Sequence, residues 1–423
     1  MIKFRQLLWL LYICLSCCLT TQAADADVTM RLDDMKEEIP NLQNRLAGDM
    51  QIHGFISQGW IYSSDNDWMG NTDGGSFDFH EIGLNFMTNL SDDFHLGLQL
   101  MSREIGHYKT DQLTVDWAYG DYHLNKLIGI RMGRVQTPVG MHNETRDIDA
   151  LRVPIFLPQS TYSETTRDVA TAINGAVLYG TIPGGIAGSI DYLTWVGGLT
   201  LKPDEGLGRR FEDSGLFDVH EVNLDYSIGG VIFWNTPLHG LRLNGVYDIG
   251  RGVEIVQTTT AALVPLGIPV GSPATTTMDQ VAISGIGFDY DLGQLNLSGE
   301  YRYTRSDMRT VIANGAIVQD EPMDIEGYYL MSAYELTHKL AVAVTYSVQY
   351  PDTNDRDGSE EAEDWYAWQK DFTLSARYNV NPNWTLKAEV HFVNGVGQLL
   401  DSDHPNGYDE NWQGYLLKTS YSF

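Results

Sequence analysis

From Met50 to Phe423 the sequence repeatedly alternates apolar with polar or small residues. His95-Leu96-Gly97-Leu98-Gln99-Leu100 shows the pattern, as do the stretches 339–346 and 373–378. Successive side chains on a strand point to opposite faces, so a period of two predicts strands with one wet and one apolar face. No run of 18 apolar residues follows the first 23, so no membrane helix is available. A chain of 423 residues built this way is either a large closed sheet or several β-domains.

Sixteen strands are expected, near 50–63, 76–89, 92–108, 112–124, 127–137, 169–181, 186–199, 218–235, 240–257, 278–290, 294–306, 325–336, 339–350, 368–380, 384–394 and 411–423. Their connections alternate in length. Turns such as Pro183-Gly184-Gly185 and Asn381-Pro382-Asn383 are short, whereas 64–75, 200–217, 258–277, 307–324, 351–367 and 395–410 are long, polar and acidic. An even strand count with short turns at one end and long loops at the other predicts an all-β, transmembrane antiparallel barrel. A closed sheet also leaves no unpaired edge in lipid.

The amino-terminal 49 residues read differently. Lys3 and Arg5 precede an apolar run from Leu7 to Leu19, and Thr21-Gln22-Ala23 offers a cleavage site, so 1–23 is expected to be a secretory signal peptide. All three cysteines, Cys14, Cys17 and Cys18, fall within it, so the exported chain would have no disulfide. In 24–49, Val28, Leu32, Met35, Ile39, Leu42 and Leu46 follow heptad spacing, although Pro40 interrupts any helix. This periplasmic segment is expected to be either a short coiled coil or a loosely ordered lead-in.

The formal charge of −29 excludes nucleic acid as a partner. Its densest source is the run from Asp352 to Asp364. These carboxylates either keep the loop solvated or bridge divalent cations to lipopolysaccharide. The His-Glu pairs His80-Glu81 and His220-Glu221 lack a second histidine four residues on, so neither reads as a zinc motif. No metal site, cofactor or nucleophile signature is called for, and no enzyme activity is expected.

The third long connection, about 138–168, loses the two-residue period. It carries Glu144, Arg146, Asp147, Asp149, Arg152 and Glu164. The order of signal, heptad segment, sixteen strands, long third loop and terminal Tyr421-Ser422-Phe423 resembles trimeric Gram-negative outer-membrane porins. The heptad segment is similar to that of the DcaP-like group, whose barrels carry an amino-terminal coiled coil. The resemblance implies a homotrimer in outer-membrane lipid and lipopolysaccharide, with the third loop folded inward as a constriction. Passive diffusion of small hydrophilic solutes or ions would follow. Alternation on 294–306 puts Leu295, Leu297 and Tyr301 toward lipid and Asn296, Glu300 and Arg302 toward water. The same reasoning turns Arg103, Arg131, Arg242, Arg377 and Lys387 inward, as a basic wall opposite the loop carboxylates. Two other functions stay open: a channel selective for dicarboxylate, phosphate or sugar, and a surface adhesin or receptor using the acidic loops.

Overall fold

The computed structural model describes residues 50–108, 111–201, 203, 206–262, 267–312 and 315–423. The expected signal peptide and heptad segment lie outside the described residues. The strands are β1 (Gln51–Ser63), β2 (Phe79–Asn89), β3 (Phe94–Ile105), β4 (Thr114–Asn125), β5 (Ile128–Gln136), β6 (Ala172–Pro183), β7 (Ser189–Leu201) and β8 (Phe217–Asn235). Then come β9 (Leu241–Thr259), β10 (Pro273–Asp291), β11 (Leu295–Ile312), β12 (Ile317–Glu335), β13 (Leu340–Tyr350), β14 (Gln369–Asn381), β15 (Trp384–Asn394) and β16 (Asn411–Ser422). Among the described residues two short α-helices, α1 (Arg167–Thr171) and α2 (Gly206–Glu212), lie in the connections. Each strand pairs antiparallel with its sequence neighbours, and β1 pairs with β16, so the sheet closes into a sixteen-stranded barrel.

The register carries one face of each strand inward around the whole barrel. Arg103 lies opposite Glu81, Arg131 opposite Asp121, and Arg377 opposite Lys387. On β15, Lys387, Glu389 and His391 point inward and are buried, while Leu386 and Phe392 alternate with them and are exposed. Exposed Ile56, Leu178, Ile232, Ile286, Leu330 and Leu417 continue the outer face. Apolar side chains turned outward over a polar interior suit a bilayer rather than water. Among the described residues no helix is long and apolar enough to cross a membrane.

The expected connection at 307–324 is mostly strand. β11 runs to Ile312 and β12 starts at Ile317, and Thr310 still pairs with Gln319. Polar residues on both faces hide this extension from a hydrophobic pattern, because beyond the apolar belt neither face has to be apolar. β10 likewise begins at Pro273, five residues before the sequence suggests.

The largest buried cluster sits inside the barrel toward the long-loop end. It joins Trp68 and Met69 of the 64–78 loop, Phe79 of β2, Ile155 and Phe156 of the third loop, and Trp412 of β16. The Phe79 and Phe156 rings stack with centroids 5.2 Å apart. Trp68 meets Phe156 edge-on at 5.9 Å. This cluster is what the inward loop packs against.

Candidate pore constriction

The connection between β5 and β6 turns into the barrel and crosses toward the opposite wall. It leaves the wall at Gly140, whose φ of 102° belongs to the left-handed region open to glycine. A Cβ there would also meet the Tyr162 hydroxyl at 2.6 Å. On the far side Ser160 runs along β12, and a Cβ on Gly327 would lie 1.9 Å from the Ser160 carbonyl oxygen. Glycine at both points lets the loop backbone approach the wall.

Wall side chains then hold the loop by its backbone. Glu389 accepts the N–H groups of Ile155 at 2.7 Å and Phe156 at 3.3 Å. Lys387 donates to the Pro154 carbonyl at 2.9 Å, Arg377 to Ala150 at 2.7 Å, and Arg302 to the carbonyls of Val139 (3.0 Å) and Thr161. Glu300 accepts from the Met141 N–H at 3.0 Å, from the Tyr329 hydroxyl at 2.8 Å and from the Tyr162 hydroxyl. Its lumen-facing carboxylate is therefore buried under the loop instead of meeting open water.

The loop's charges close on the wall in a largely buried network whose two halves meet at Glu81. Glu164 pairs with Arg103 at 2.5 Å and Arg146 at 3.1 Å, while Arg103 also reaches Glu81 at 2.7 Å. Asp149 pairs with Lys418 at 2.8 Å, Arg152 at 3.2 Å and Lys387 at 3.3 Å, and Lys418 links back to Glu81. Asp147 pairs with Arg167 of α1. Burial pushes the Glu164 carboxyl up, but the guanidinium groups of Arg103, Arg146 and Arg167 outweigh it and hold it at about 2. For Asp149 burial is likewise outweighed, by Lys387, Lys418 and Arg152, and the carboxyl stays well below its usual range. Burial lowers the Arg146 guanidinium to about 10 despite its Glu164 partner.

One loop pair differs from these. Glu144 meets Arg131 of β5 at 3.4 Å, with side chains 37% and 24% exposed; Arg103 and Glu164 are 6% and 5% exposed. The Arg131 guanidinium lies over the Tyr179 ring at 4.8 Å and bonds Asp121 at 2.9 Å. Arg242, two strands beyond the β6–β7 hairpin, stands over Phe233 at 4.0 Å and reaches Asp191 at 3.4 Å. The structure thus brings Arg103, Lys387, Arg302 and Arg377 onto the loop itself, joins Arg131 to it only through Glu144, and leaves Arg242 paired within the wall.

No known family profile and no characterised protein matches the sequence. Solved structures match the architecture. OmpF of Salmonella typhi, in complex with daunomycin, aligns over 88% of this chain and 97% of its own at 15% identity, with a TM-score of 0.56. The outer membrane channel DcaP of Acinetobacter baumannii aligns over 89% and 97% at 12% identity, TM-score 0.51. OmpT of Vibrio cholerae, from the outer membrane, aligns over 88% and 97% at 10% identity, TM-score 0.51.

The fold is a porin fold.

Within this porin fold, several residues that hold the third loop carry no obvious sequence signal. Lys418 shares its inward face with Trp412 and Leu416, which are apolar because they pack under the loops. A hydrophobic pattern therefore gives no clear inside for β16. Glu81 hides in the same way beside Phe79. Glu389 and His391 were legible, since they alternate with Leu386, Ala388 and Val390 as Lys387 does. His391 bridges Asp371 at 2.7 Å and Glu389 at 2.9 Å, and so braces the carboxylate that holds the loop tip.

Proposed function

We propose that this chain is a passive porin of a Gram-negative outer membrane, through which small hydrophilic solutes and ions diffuse. The observation that carries the reading is the contrast among the third-loop ion pairs. All but one are largely buried and fix the loop, leaving exposed Glu144 and half-buried Arg131 as the ion pair that keeps access to solvent beside the lumen. Charges that keep solvent access on the wall of a narrow passage orient dipoles and bias ion entry. The short turns face the periplasm and the long loops face outward, among lipopolysaccharide. The protein works as a homotrimer without cofactor or chemical step.

Single-channel recording of the purified full-length protein in a planar bilayer, under a salt gradient, tests this. Conductance appearing in groups of three with a defined reversal potential is the expected result. Folded protein that inserts without conducting would overturn the reading and favour a surface adhesin or receptor.

A further inference from the structure

A second space lies between the third loop and the barrel wall, at the short-turn end. It has a volume of about 320 Å3, within the range of small-molecule sites. Its charged lining is Asp289, Asp291, Glu335, Arg152, Arg377 and Arg146, the last already paired with Glu164. At one end stand Asp289 and Asp291 of β10. Asp289 accepts from the Asn296 amide at 2.9 Å and Asp291 from the Gly293 N–H at 2.7 Å, and among the described residues neither has a cation within ion-pair distance.

At the other end stand Arg377 of β14 and Arg152 of the loop. Each uses only part of its guanidinium. Arg152 spends Nη2 on Asp149 and on the Ile155 carbonyl, and its Nε and Nη1 are buried with no partner. Arg377 spends Nη1 on Ala150 and sits 3.8 Å from Glu335, while its Nε is buried with no partner. Unpaired buried donors on a cation are costly, and a ligand oxygen relieves that cost. Glu335, 58% exposed, competes only weakly across 3.8 Å.

Between the two ends the lining turns apolar, through Leu157 and Val153 of the loop and Met331, Ala333 and Ala341 of β12 and β13. From β10 to β14 is four ladder steps, roughly 19 Å along the wall at the usual strand spacing. Arginine and aspartate side chains shorten that gap to roughly the length of an extended tripeptide.

We propose that this space is a subsite for short zwitterionic peptides of two or three small apolar residues. The terminal ammonium lies at Asp289 and Asp291, the terminal carboxylate at Arg152 and Arg377, and the side chains rest on the apolar band. A simple anion satisfies only one end and a simple cation only the other. The proposal rests on the channel reading, because a solute reaches this space through the lumen.

The test is current block in the same bilayer recording, with trialanine, its N-acetyl derivative and its methyl ester added in turn. Potassium chloride conductance without any peptide reports on the channel reading by itself. Trialanine is expected to block at about tenfold lower concentration than either capped form, the factor a charged hydrogen bond supplies. The Asp289→Asn, Asp291→Asn double variant is expected to remove the advantage of trialanine over the N-acetyl peptide. Arg377→Gln is expected to remove its advantage over the methyl ester. Equal block by all three peptides in a conducting channel overturns the proposal, as does an advantage for trialanine that survives both variants. An absence of salt conductance overturns the channel reading instead.

Discussion

Glu389 takes the Ile155 N–H at 2.7 Å, so a carboxylate on β15 holds the tip of a loop that began on the far side of the barrel. The same carboxylate receives Phe156, the Ser375 hydroxyl at 2.8 Å and His391. Four donors on one buried acid make the contact a fixed anchor, because withdrawing the loop would strand charge and backbone together.

Replacing Glu389 by alanine leaves two loop N–H groups and His391 without their acceptor. We expect a loss of about 3 kcal/mol in barrel stability, read as a lower urea midpoint in refolding from detergent. Open-channel current noise should rise as the loop tip gains freedom. Unchanged noise together with unchanged stability would show that the tip is held by other contacts.

Phe156→Ala removes the ring that stacks on Phe79 and meets Trp68. Truncating a buried phenylalanine costs about 3–5 kcal/mol. The thermal midpoint of the folded barrel should fall accordingly. The loop should become accessible to protease added at the long-loop end.

Glu144 and Arg131 should act on ion preference with opposite sign. Glu144→Gln removes the exposed negative charge and is expected to move the reversal potential toward anions; Arg131→Gln should move it toward cations. Glu164→Gln, buried behind Arg103, is expected to change the reversal potential far less. Equal effects from Glu144 and Glu164 would place the constriction elsewhere.

The anchoring charges set a pH window. Glu164 is held at about 2, below the ordinary value of 4.5 in an unfolded chain. A depressed acid contributes stability that is fully present above the unfolded value and fades as pH falls through the folded one. Stability is therefore expected to hold from neutral pH to roughly 4.5, to fall progressively between there and about 2, and to have lost this contribution below that. Conductance, which follows the folded-state carboxylate, is expected to hold until the pH nears about 2. A titration of single-channel current and urea midpoint over that range checks the prediction, and a current whose midpoint of loss lies near 4.5 would contradict the buried network.

The sequence exposes most of the barrel because each strand must present apolar side chains to lipid, and that demand writes itself as alternation. β15 is the clearest case, since the expected span 384–394 coincides with Trp384–Asn394. Where lipid no longer touches the wall the signal fades, as in the upper parts of β11 and β12. Loop–wall pairing was not legible, because nothing in a linear pattern says that Asp149 meets Lys418 or that Glu164 meets Arg103. Those contacts depend on how far a loop without periodicity reaches. The expected wall of basic residues opposite the loop therefore turns into two kinds of residue, some clasping the loop and some, such as Arg131, left facing it.

The seam between β1 and β16 bears on how such a chain is assembled. Gly54 and Phe423 exchange both backbone hydrogen bonds, at 3.0 and 3.1 Å, and a Cβ on Gly54 would collide with the Phe423 ring. β1, the earliest of the described strands, finds its second partner only in β16, more than 300 residues later. Until that pairing forms, the free edge of β1 is a template for any other strand, so the hydrogen bonds of this one seam decide whether the chain is a ring or an open sheet.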